Sequence, residues 1–116
     1  MSNSNIYLPS GPPAASAPKP QHGFAQPPDG FSFQIDPLVP DFQFIPAASL
    51  ATGNVFLPNA APELDGLTVT FGSTQAIAAL TVAAPGANIA NPPTTLKAGE
   101  CVRFIYFGDV NIWIRR

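Results

Sequence analysis

Leu67-Thr68-Val69-Thr70-Phe71 alternates apolar residues with threonine, the period-two pattern of a strand with one buried and one solvated face. Toward the C-terminus, Gly72-Ser73-Thr74 reads as a turn and Gln75 to Val82 as a second strand. The register of that strand slips: Ile77 and Ala79 share one parity, Leu80 and Val82 the other, which predicts a β-bulge near Ala79. Pro85-Gly86 is a turn pair, and Ala87–Ala90 and Thr94–Leu96 read as short strands around Pro92-Pro93. After a turn at Lys97-Ala98-Gly99-Glu100 comes a strand, Cys101 to Phe107, with both faces apolar. Val102, Phe104 and Tyr106 lie on one face, Ile105 and Phe107 on the other. Gly108-Asp109 turns the chain into a closing strand, Asn111 to Arg115, with Ile112, Trp113 and Ile114. Turn signals at spacings of about 8–12 residues predict an all-β fold, a small β-sandwich or barrel-like module over residues 63–116. Gln75–Ala84 is the one helix candidate, but its Ile, Val and Thr content favours strand.

Toward the N-terminus the composition changes. Ten of the 15 prolines fall before residue 47. Proline fixes φ, removes a backbone donor and biases the preceding residue away from helix. Residues 1–62 are therefore expected to form an extended, proline-rich arm, polyproline-II-like up to about residue 30. Phe31-Ser-Phe33-Gln-Ile35 and Phe42-Gln-Phe44 alternate with period two inside this arm. A free tail would not keep so many aromatic side chains in water. Phe31, Phe33, Ile35, Phe42, Phe44 and Phe56 are accordingly expected to dock on another surface: the C-terminal module, a sister chain or a larger assembly.

Charge is sparse, five basic against seven acidic residues. Phosphate binding requires clustered Lys and Arg, and here only Arg115 and Arg116 are adjacent, so no direct nucleic-acid partner is expected. The longest apolar runs, such as Ala76–Leu80 and Phe104–Phe107, are far too short to span a bilayer, and no secretory signal follows Met1, so no membrane partner is expected either. Cys101 is the single cysteine, which excludes an intrachain disulfide and suits folding in a reducing cytoplasm.

The residues that could carry chemistry are isolated. His22 has no rigid partner nearby and reads as a surface or contact histidine. Cys101 lacks a neighbouring base and reads as a small buried hydrophobe. Asp29, Asp65 and Asp109 sit beside glycines, where aspartate caps its own turn. One Cys and one distant His do not make a structural zinc site, and there is no Walker loop, dinucleotide fingerprint or nucleophile elbow. No catalytic, cofactor-binding or metal-binding residue is assigned, no cofactor is implied, and the chain is not expected to be an enzyme. Trp113 with Tyr106 or Tyr7 could stack on a sugar, although a core or interface role is the commoner use of such aromatics.

A module of about 50 residues has a marginal core and commonly relies on disulfides, a metal or partner chains. With the first two excluded, a homo-oligomer is expected, with Ile105, Phe107, Ile112 and Trp113 at its interface.

Four pieces in order resemble a small β module of tailed-bacteriophage virion proteins: Gly66-Leu-Thr-Val-Thr-Phe-Gly72, Ala79-Leu-Thr-Val-Ala-Ala-Pro-Gly-Ala-Asn-Ile89, Thr95-Leu-Lys-Ala-Gly-Glu-Cys-Val-Arg-Phe-Ile105 and Gly108-Asp-Val-Asn-Ile-Trp113. The resemblance covers about residues 66–116; it departs from the family pattern where Gly108 precedes Asp109 and in the terminal Arg115-Arg116. It implies a trimeric, non-enzymatic virion component, made in the host cytoplasm and carried on the capsid surface. The arm would then anchor to the major capsid protein or another virion subunit, as in a capsid decoration (cement) protein. A tail or collar adaptor and a receptor- or glycan-binding fibre module are the alternatives.

Overall fold

The computed structural model describes residues 22–116. Among the described residues nine strands form two sheets: β1 His22–Ala25, β2 Phe31–Gln34, β3 Asp41–Phe44, β4 Leu50–Phe56, β5 Thr68–Ser73, β6 Ile77–Ala83, β7 Asn88–Ala90, β8 Cys101–Phe107 and β9 Ile112–Arg115. A single turn of 3₁₀ helix, Pro62–Leu64, precedes β5. The all-β class expected from the sequence is the class observed.

The first six strands alternate between the sheets. β1, β3 and β5 are parallel neighbours in one sheet, and β2, β4 and β6 are parallel neighbours in the other. Each successive pair of strands is thus one coil, laid in register on the coil before it. Parallel strands need a long crossover; here the crossover is the strand of the opposite sheet. The C-terminal part departs from this pattern. β8 returns antiparallel to β5, β9 pairs antiparallel with β8, and β7 lies parallel to β9, giving the order β1-β3-β5-β8-β9-β7.

The core lies between the sheets and draws on every coil. Phe31, Ile35, Phe42, Phe44, Val55, Leu57, Val69, Phe71, Ile77, Leu80, Phe104 and Trp113 are all buried in it. Aromatic rings run through it in sequence: Phe33 to Phe42 at 4.4 Å, Phe42 to Phe44 at 5.1 Å, Phe44 to Phe71 at 6.2 Å and Phe71 to Phe104 at 6.3 Å between centroids. These are the separations at which aromatic pairs attract.

The expectation of a docking arm through residue 62 is corrected for residues 22–62, which form β1 to β4 and their connections. The alternation of Phe31/Phe33 and Phe42/Phe44 is a strand signal, and the strands it marks, β2 and β3, pair with β4 and β5 of the following coils. Pro27, Pro28, Pro37, Pro40, Pro46, Pro58 and Pro62 lie between strands or just after them, where no ladder donor is lost. The foldable unit is therefore larger than 63–116, and the argument that the module is too small for its own core does not hold. Residues 1–21 of the expected arm lie outside the described residues.

The bulge expected near Ala79 is also corrected. β4 and β6 keep one register from Leu50↔Ile77 to Phe56↔Ala83, with no extra residue on either strand. The parity slip occurs in both at the same height: Leu50, Gly53 and Val55 are buried in β4, and Ile77, Leu80 and Val82 in β6. Two stacked strands turn the same corner together, so the ladder survives. Thr94–Leu96, expected as a strand, makes only an isolated bridge to Ile77.

Candidate functional site: the outer face of the β8–β9 hairpin

β8 and β9 are joined by a four-residue loop, residues 108–111, closed by the N–H of Asn111 donating to the carbonyl of Gly108. Asn111 has φ 52°, a left-handed conformation that asparagine tolerates better than most residues. Its side chain ties three elements together. Its Oδ1 accepts from the Tyr106 hydroxyl at 2.6 Å, and its Nδ2 donates to the carbonyl of Gly86 in the β6–β7 turn at 2.9 Å. Asp65 holds the same loop from the other side, its Oδ1 accepting from the N–H of Gly108 at 2.8 Å. The hairpin is thereby fixed against the coils.

Register then decides which residues face out. Tyr106↔Trp113 is a buried row whose rings lie 5.0 Å apart, and the rows on either side of it, Phe107↔Ile112 and Ile105↔Ile114, face outward. Ile105, Phe107, Ile112 and Ile114 are half-buried and form one apolar strip. Thr68 of β5 lies beside Ile105, Asn88 and Ala90 of β7 lie beside Ile112 and Ile114, and Val110 in the β8–β9 loop is 66% exposed.

The expected interface residues thus separate. Ile105, Phe107 and Ile112 stand together on the outer face, whereas Trp113 is corrected: it is fully buried, packed on Tyr106. Its place in the inward row of a two-faced strand puts it in the core. The same burial removes Trp113 and Tyr106 as a sugar-stacking platform. Ile114 belongs to the strip and was not singled out; its alternation with Trp113 was the available signal.

Of the three docking surfaces expected for the aromatic segment, the chain's own C-terminal strands are the one observed, and its docking on a partner is corrected. Phe31, Ile35, Phe42 and Phe44 are buried in the chain's own core, and Phe33 packs half-buried against it. Phe56 is half-buried at the end of β4. Coiling brings these aromatics onto one another, so no partner is needed to cover them. Cys101 is exposed rather than buried, because it falls in the outward parity of β8 with Arg103. His22 is exposed on β1, as a surface histidine would be.

The aspartates do more than cap their own turns. Asp29 Oδ1 accepts from the N–H groups of Ala51 and Thr52, each at 2.9 Å, tying the β1–β2 turn to the next coil. Asp65 reaches Gly108, as above. Asp36 alone makes the local turn expected of aspartate, accepting from the N–H of Leu38 at 2.8 Å. Among the described residues no cluster of His, Cys, Asp and Glu could hold a metal ion. An open cleft of about 370 Å³ lies where β2 and β4 end, lined by Gln34, Ile35, Asp36, Pro37, Pro58 and Asn59, with Gln34 Nε2 donating to Asn59 Oδ1 at 2.9 Å. Among the described residues no helix is long and apolar enough to cross a membrane.

No protein-family model, curated protein or solved structure was found to match the chain.

Proposed function

We propose that the chain is a non-enzymatic structural subunit of a tailed-bacteriophage virion, a capsid decoration protein whose modules associate with one another on the capsid surface. The observation that carries the reading is the apolar strip Ile105, Phe107, Ile112 and Ile114, held on a rigid hairpin and facing away from the core. The virion assignment is supported by the resemblance of residues 66–116 to virion β modules. In this reading the module is a two-layer β-sandwich in the wide sense, its layers built by coiling. Neither nucleic acid nor a cofactor takes part.

Magnitudes favour assembly on a lattice. Covering the exposed halves of four large apolar side chains contributes roughly 3–6 kcal/mol. Association costs about 4–15 kcal/mol in lost freedom. One such contact sustains only weak pairing. A closed trimer, in which each chain makes the contact with two neighbours, and further contacts to the major capsid protein bring the sum into the stable range.

The test is sedimentation of the purified chain together with fractionation of the particle. A trimer at micromolar concentration, and recovery of the chain with heads rather than tails, are the expected results. A monomer that does not bind heads would refute the proposal, and recovery with tails would transfer the chain to the adaptor class.

A further inference from the structure

Among the described residues the Lys and Arg residues, Lys97, Arg103, Arg115 and Arg116, gather at one end of the β8–β9 hairpin, away from its tip. The carbonyl of Arg103 accepts from the N–H of Arg116 at 2.8 Å, Arg115 is the register partner of Phe104, and the turn that holds Lys97 leads into β8. In the sequence only Arg115 and Arg116 are adjacent. Pairing of β8 with β9 makes the group.

Two of these cations, Lys97 and Arg115, line a cleft of about 320 Å³ together with Pro92, Pro93, Thr94 and Glu100. Its walls are fixed. The N–H of Leu80 in β6 donates to the carbonyl of Thr94, and Thr95 Oγ1 donates to the carbonyl of Ile77 at 3.0 Å. The turn is closed in both directions: the N–H of Glu100 donates to the carbonyl of Lys97 at 3.0 Å, and Glu100 Oε1 accepts from the N–H of Lys97 at 2.9 Å. Arg115 arrives from the core side. Alternation along β9 puts it on the face of Trp113, and Phe104 across from it is fully buried. A guanidinium that starts from the core face must carry its charge out at the strand's end. It comes out in the cleft, half-buried.

The cleft has more positive than negative charge. Glu100 is its one carboxylate, against two cations. All seven acidic side chains of the chain fall among the described residues, and residues 1–21 contain none. The single positive charge in excess matches a monoanion; a phosphate dianion would face Glu100 with one of its charges not offset. A terminal carboxylate is commonly captured by backbone N–H groups. Here the N–H groups of Leu96, Lys97 and Glu100 are engaged by Ile77, Glu100 and Lys97. Recognition is therefore left to the side chains, with Pro92 and Pro93 as an apolar wall for a short aliphatic stem.

We propose that this cleft receives an acidic side chain, Asp or Glu, of a partner protein, its carboxylate held between Lys97 and Arg115. The planar guanidinium suits such a group, which it can bind through two parallel hydrogen bonds. Asp29, Asp36, Asp65 and Glu100 of the chain already accept backbone N–H groups, which favours another protein over a second copy as the donor. This inference stands apart from the virion assignment.

NMR titration of the full chain with an acetylated, amidated peptide bearing one glutamate among alanines tests it. The amides of Thr94 and Lys97 and the Arg115 side-chain Nε are expected to shift, with a dissociation constant of about 1–10 mM. The same peptide with glutamine should leave them in place. Lys97→Met and Arg115→Met keep the aliphatic stems and should each weaken binding about tenfold or more. Arg103→Met, on the outer face, should not, while the amide signals of Val69 and Phe104 report an intact fold in every variant. Glu100→Gln keeps an acceptor for the Lys97 N–H and removes the charge; it should strengthen glutamate binding roughly threefold and admit inorganic phosphate. No shift with the glutamate peptide, equal shifts with the glutamine peptide, or full binding by Arg115→Met would overturn the proposal. Tighter binding of inorganic phosphate, or of an acid-free peptide with a free C-terminus, would overturn it by assigning the cleft to another anion. Shifts of the same amides on concentrating the chain alone would overturn it in favour of a second copy.

Discussion

The ring of Phe31 lies against the α-carbon of Gly53, its register partner in the next coil, in the space a β-carbon on residue 53 would occupy. The contact explains a glycine in the middle of a strand, where it otherwise costs stability. It also seats Phe31 5.1 Å from Phe44, joining the first coil to the aromatic row of the second.

Gly53→Ala is therefore expected to destabilise the protein by about 1–3 kcal/mol through overpacking, against the usual gain from replacing a strand glycine. The double variant Gly53→Ala with Phe31→Leu should recover part of the loss. Urea unfolding of the two variants measures both quantities.

Phe44 sits at the junction of the aromatic row and is fully buried. Phe44→Ala is expected to cost about 3–5 kcal/mol. By the same burial, chymotrypsin should leave the bonds after Phe31, Phe42 and Phe44 intact in the native protein. Rapid cleavage there, read by mass spectrometry, would restore the docking-arm reading for residues 22–62.

Asn111 combines a left-handed backbone with two side-chain hydrogen bonds. Asn111→Gly keeps the conformation and loses the bonds; Asn111→Ala loses both. Expected losses are about 1–2 kcal/mol for glycine and a further ~1 kcal/mol for alanine. Equal stabilities of the two variants in thermal melts would show that the backbone carries no strain.

Asp29 binds two N–H groups of the next coil from an exposed position. Asp29→Ala is expected to cost about 1–2 kcal/mol, since no other side chain accepts from both amides. Amide exchange at Ala51 and Thr52 should accelerate selectively.

Ile105→Asp and Ile112→Asp place a charge on the outer strip while leaving the inward row of Tyr106 and Trp113 in place. Under the proposed assembly each should shift the chain to monomer in sedimentation with little change in its melting temperature. Cys101, exposed at the start of β8, should react with a thiol reagent in native buffer without denaturant.

The sequence by itself determined the all-β class, the strands from β5 onward, the turns at Pro85-Gly86 and Gly108-Asp109, and the two faces of β8. These depend on alternation and on turn residues, which act over a few positions. Only the tertiary structure decided where residues 22–62 belong. The alternation of Phe31/Phe33 and Phe42/Phe44 marks strands equally well on a partner's surface and in the chain's own core, and the prolines between them favour neither. Parallel pairing at separations such as Phe31↔Gly53 and Asp41↔Thr70 made the choice. The same pairing turned the Ala79 irregularity into a shared corner, sent Trp113 inward, and left Ile105, Phe107, Ile112 and Ile114 as the apolar face. A pattern of period two states that a strand has two sides; which side meets the core depends on neighbours far along the chain.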